Sequence, residues 1–208
     1  SESNHESDWE NRRMFVGFKA GIFDSLTLET QIAIAEDFDP FYDGLYVAFL
    51  EWENETSSLR GGRLDYLFTG MERSTSSKQI ATIERSLVVN QIMPGEVVGI
   101  HGTRQLEGFS FHGGIFSGSI EDEFTSFDGK PAAVAGISTS VPLFLEEGKL
   151  HVDYLYNDGD EDNNAFEEYR HTLSLWHKGR SGPLEMGIDF TFAAGVDDQS
   201  DVYGLTLL

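Results

Sequence analysis

The chain has 208 residues and a formal net charge of −22, with fourteen Lys and Arg against thirty-six Asp and Glu and no Cys. That balance excludes nucleic acid as a partner, because nothing here could neutralise a run of phosphates. The missing cysteines exclude disulfides, thiolate metal sites and a cysteine nucleophile. No stretch approaches the roughly 18 to 20 apolar residues of a membrane-spanning helix. Transmembrane barrels alternate polar and apolar residues instead, so mean hydropathy does not separate them from soluble proteins.

A period of two dominates from residue 13 onward. In RRMFVGFKAGIF, Met14, Val16, Phe18, Ala20 and Ile22 share one face, and Arg13, Phe15, Gly17, Lys19 and Gly21 share the other. After Asp24 and Ser25 the alternation resumes with Leu26, Leu28, Thr30, Ile32 and Ile34, and so tight a link predicts a β-hairpin. Further strands are expected over 44–52, 59–68, 96–105, 109–118 and 132–145. GKLHVDYLYND sets Leu150, Val152, Tyr154 and Tyr156 against Lys149, His151 and Asp153. A strand over 169–178 follows, and then LEMGIDFTFA sets Leu184, Met186, Ile188, Phe190 and Phe192 against Glu185, Gly187, Asp189 and Thr191. A last strand is expected over 201–208, making roughly eleven of about 8 to 12 residues, the length of a tilted transmembrane strand.

Links at one end of these strands are short, as at Asp24 and Ser25, at 146–148 and at 179–183. Those at the other end are longer and acidic, as at 36–43, 119–130 and 157–168. Aromatics stand near strand ends at Phe23, Trp52, Tyr156, Tyr169 and Phe192, as an interfacial girdle requires. Together these features predict an all-β fold, an antiparallel transmembrane β-barrel with about eleven strands present of a larger one. The whole chain, 1–208, reads as one barrel domain, expected to be incomplete at one or both ends. The alternative on pattern is a soluble, secreted, acidic β-sandwich that binds carbohydrate or calcium.

STSSKQIATIERSL (74–87) breaks the alternation. Around it, RGGRL (60–64), TSSK (75–78), ERSL (84–87) and VVGIHG (97–102) follow one another, after paired arginines at 12 and 13 and FYDGLYVAF (41–49). This series resembles the phosphate- and polyphosphate-selective porins of Gram-negative outer membranes, best over about residues 11 to 118. The resemblance implies a trimeric barrel in contact with outer-membrane lipid and lipopolysaccharide. It further implies that segment 71–95 folds inward and narrows the pore. Backbone off the sheet is tolerated at membrane depth where it lines a water-filled cavity. By the same resemblance Arg12, Arg13, Lys78 and Arg63 would line the pore and meet anions such as phosphate, with Asp43 as their acidic companion. Guanidinium and ammonium donors replace the water around such an ion. Because acids outnumber bases, a general, weakly cation-preferring porin stands as a further alternative.

Asp158, Asp160 and Asp162 in DGDEDNN have the spacing of a calcium loop, but Asn163 holds the sixth position, where such loops need Gly, and Tyr169 the twelfth, where they need Glu. His101, His112, His151, His171 and His177 form no HExxH pair, and no GxSxG elbow occurs. No enzyme and no cofactor is expected.

Overall fold

The computed structural model describes residues 14–35, 38–66, 68–71, 87–120, 123–124, 128–143, 145–159, 162–166, 169–195 and 200–208. Eleven strands and one short helix follow in chain order. The strands are β1 (Met14–Phe23), β2 (Leu26–Ile34), β3 (Tyr42–Glu53), β4 (Ser57–Asp65), β5 (Glu96–Leu106), β6 (Phe109–Phe116), β7 (Ala132–Ser140), β8 (Glu147–Tyr156), β9 (Tyr169–Ser181), β10 (Leu184–Gly195) and β11 (Val202–Leu207). The helix α1 (Leu87–Ile92) lies between β4 and β5. All eleven strands belong to one sheet, each paired antiparallel with its neighbours in sequence, so the chain is an uninterrupted meander. β1 and β11 are its edges, and among the described residues the sheet does not close on itself.

The links divide by end as the sequence predicts, with one exception. β7 stops at Ser140 and joins β8 through the six residues 141–146, where a strand to 145 and a short link at 146–148 were expected. Residues 24–25, 54–56, 107–108 and 182–183 turn the chain tightly at one end. Gly108 and Gly182 adopt positive φ there, a backbone conformation that residues with a side chain rarely take. At the other end run the longer connections 35–41, 66–95, 117–131 and 157–168.

Alternation gives the sheet two unlike faces. One face, here called outer, exposes Val16, Phe18, Leu50, Ile100, Phe190 and Leu205, along with most other large apolar side chains of the strands. Aromatic residues mark its two ends: Phe23, Trp52, Phe109 and Phe111 beside the short turns, Tyr154 and Tyr203 towards the long loops. Tyr169 departs from the expected girdle. The register slips between Ala194 and Gly195 on β10, and Tyr169 is buried in the apolar cluster instead.

The inner face is covered by residues 66 and 68–71 and by α1. Leu64, Tyr66, Phe68, Val89, Ile92 and Met93 pack there with Val97, Phe116, Val134, Leu155 and Ala193 in one cluster at the long-loop end. On a flat sheet β4 and β10 would stand about 29 Å apart, much wider than a helix of about 10 Å. The sheet curls to bring these side chains together. Phe68 was expected to end a strand; it has left the sheet and stacks on His101 with ring centroids 3.7 Å apart.

Candidate functional site

Below the apolar cluster, the inner face carries a belt of polar side chains that runs from β1 to β10. At its start Lys19 on β1 stands 3.6 Å from Glu29 on β2 and 3.9 Å from Glu51 on β3. Arg60, opposite Glu51 on β4, donates from Nε to Glu51 Oε1 at 2.6 Å. Glu51 is buried, so its two cationic neighbours offset the cost of taking a carboxylate from water.

The belt continues through two histidines. His101 Nε2 and His112 Nδ1 are 3.2 Å apart, and His112 Nε2 is 3.0 Å from Asp153 Oδ1. The carboxylate accepts from His112 Nε2–H, which leaves Nδ1 of a neutral His112 to accept from His101. His112 is on β6 and Asp153 on β8; both are paired with Gly136 on β7. A Cβ at Gly136 would overlap His112 Nε2 and lie 2.5 Å from Asp153 Oδ1. The bond across β7 exists because that position carries no side chain.

Asp153 is 1% exposed, and no Lys or Arg pairs with it among the described residues. Three N–H groups satisfy it instead: His112 Nε2, Trp176 Nε1 at 2.7 Å and the Gly70 amide at 3.2 Å. Asp189 on β10 is similarly buried and accepts from the Met71 amide at 2.7 Å, Ser174 Oγ at 2.8 Å and Thr191 Oγ1 at 3.2 Å. Charge-assisted bonds of this kind are roughly twice as strong as neutral ones. The two carboxylates therefore fasten the backbone of Gly70 and Met71 to the inner face. Gly70 adopts φ +77°, and a Cβ there would lie 3.2 Å from Asp189 Oδ2. Its glycine is needed for both the turn and the close approach.

Of the expected site residues, Arg12, Arg13, Lys78 and Asp160 lie outside the described residues. Segment 71–95 begins at Met71 on the inner face and ends with α1 and residues 93–95; its residues 72–86 are outside the described set as well. Arg63 is buried, and its guanidinium donates to the carbonyls of Tyr46 at 3.1 Å and Glu123 at 2.9 Å, with Glu96 at 3.9 Å. It holds a β3 carbonyl and the 117–131 connection. Asp43 is exposed at the start of β3, next to Gly44.

Asp158 is drawn to Lys130, whose Nζ lies 2.7 Å from Oδ2. That hydrogen bond, helped by the charge of Lys130 and opposed by desolvation, holds the carboxyl below its usual range. Nearby, Ile120 N donates to Asn164 Oδ1 at 2.6 Å and Ala165 N to Gly118 O at 2.9 Å. Asp158 and Asp162 thus belong to a contact between two long connections, and no cluster of metal-binding side chains occurs among the described residues.

His101, His112, Trp176 and the pair Asp153 and Asp189 are the residues that sequence reasoning missed as a site. The alternation placed both aspartates on the polar face. Nothing local signalled that His112 would reach Asp153 across a glycine. No protein family matches the chain, and no curated protein matches it.

Proposed function

We propose that this chain forms the wall of an outer-membrane porin, through which small hydrophilic solutes diffuse passively, with anions such as phosphate the first candidates. The observation that carries this reading is the inversion of the two faces. Large apolar side chains cover the outer face, while the inner face buries Glu51, Asp153 and Asp189 among hydrogen-bond donors. A protein in water does the reverse, and an exposed apolar surface of this extent needs a nonaqueous neighbour. Aromatic residues at both ends of the apolar band fit a bilayer's two interfaces.

Segment 68–71, held to Asp153 and Asp189 through Gly70 and Met71, supports the expected inward fold that narrows a pore. Its off-sheet backbone is hydrogen-bonded to the wall, which is the condition for irregular chain at membrane depth. The resemblance carried by TSSK (75–78) and ERSL (84–87) favours anions over the cation-preferring alternative. Solute would pass along the inner face, where polar groups replace its hydration in steps.

Reconstitution of the purified protein in planar bilayers tests this. Stepwise conductance, with a reversal potential in a salt gradient that gives the sign of the preferred ion, is the expected result. A protein that is monodisperse without detergent and produces no conductance steps would sink the reading.

A further inference from the structure

At the short-turn end of the inner face, β7, β8, β9 and β10 line an open cavity of about 630 Å³. Its floor is His151 on β8, stacked on Trp176 of β9 with ring centroids 3.5 Å apart and planes 9° from parallel. One step towards the turns, Lys149 of β8 is directly paired with Lys178 of β9. Like charges at directly opposed positions destabilise a sheet. Lys178 is relieved by Glu185, whose Oε1 lies 2.7 Å from its Nζ. Lys149 lines the same cavity, is exposed, and has no ion pair among the described residues. Ser140 of β7 pairs with Lys149 on the other side and adds a hydroxyl. Arg180 and the carboxylates of Glu146 and Glu147 stand at the rim.

We propose that this cavity is a binding site for a small hydroxylated organic acid of the sugar-acid class, its carboxylate seated between Lys149 and Lys178. A carboxylate there removes the repulsion between the two ammonium groups and accepts charge-assisted hydrogen bonds from Lys149. The aromatic floor takes the apolar face of a ring, and the rim carboxylates accept its hydroxyl protons. The volume falls within the usual span for small-molecule sites, and an aromatic floor with a few convergent polar groups is their common design. Inorganic phosphate would use the lysines and leave the floor bare. The site stands on its own lining; only its place on the path of a diffusing solute rests on the porin reading.

Tryptophan fluorescence tests the site directly. In a background with Trp9→Phe and Trp52→Phe, Trp176 is the remaining indole of the chain. Titration of the purified full chain in detergent with D-glucuronate should change its emission saturably. D-glucose and sodium chloride at matched ionic strength should not. Lys149→Met should weaken the response about tenfold, Lys149→Arg should keep it, and Glu185→Gln should strengthen it by freeing Lys178. No saturable change, or one indifferent to Lys149→Met, overturns the proposal. Equal affinity for inorganic phosphate overturns the sugar-acid class. Bilayer recordings on the same preparation keep the two readings apart. Binding without conductance steps leaves the site standing and removes the porin, and steps without binding do the opposite.

Discussion

His112 and Asp153 are hydrogen-bonded at 3.0 Å across a strand to which neither belongs, over Gly136 of β7. The glycine brings a histidine from β6 and a carboxylate from β8 into one network with Trp176 and the Gly70 amide. Gly136→Ala should therefore destabilise the protein by about 2 to 3 kcal/mol, because a buried carboxylate loses a donor and a Cβ enters occupied space. Urea unfolding in detergent micelles measures it. In a background with His112→Ala the same change should cost clearly less, since the bond is already gone. Equal costs in both backgrounds would mean that the bond across β7 contributes nothing.

The carboxylates that hold residues 70 and 71 can be tested separately. Asp189→Leu leaves the Met71 amide and Ser174 without their acceptor. Amide hydrogen exchange at Met71 should accelerate by one to two orders of magnitude, equivalent to about 1 to 3 kcal/mol. Asp189→Asn keeps one carbonyl oxygen and should fall between. If the segment narrows a pore, Asp189→Leu should also raise single-channel conductance.

Ile100, at the middle of β5, is 57% exposed on the outer face. Ile100→Lys decides what that face meets. Against lipid the substitution should cost about 2 to 4 kcal/mol. Against water it should change stability by less than about 0.5 kcal/mol. Folding into lipid vesicles, followed by denaturant titration, gives the number. Phe23→Lys, at the end of β1, should cost less than Ile100→Lys in lipid, because the penalty falls towards the interface.

Lys130 and Asp158 join two long connections through an exposed pair. The folded carboxyl titrates below its unfolded value, so the link is fully present above the ordinary aspartate range and is lost as pH falls through the lowered value. Hydrogen exchange at the Ile120 and Ala165 amides should be protected near neutral pH and lose that protection in strong acid. Asp158→Asn should remove the pH dependence. The exposed position makes the effect local, with little change in global stability.

Most of the fold was legible because a strand's periodicity is local. Alternation located eleven strands, and turn chemistry separated the short end from the long one. Strand ends were less well read: 59–68 ran past the observed end at Asp65 because Tyr66 and Phe68 are as apolar as strand residues. They are apolar because they fill the inner face, a reason invisible in the local pattern. Tyr169 was misread for a similar cause, since one slipped register moved it from an exposed rim to the core.

The site was harder to read. Attention to basic residues led to Arg63, which spends its donors on Tyr46 and Glu123. The belt is instead built from side chains far apart in sequence: Gly70 meets Asp153, and Met71 meets Asp189. By itself the sequence determined an all-β meander with one apolar and one polar face, because side-chain direction follows from each residue's place in its own strand. Only the tertiary structure decided which polar residues meet, because that depends on register across several strands and on the curl that wraps the inner face around residues 68–71.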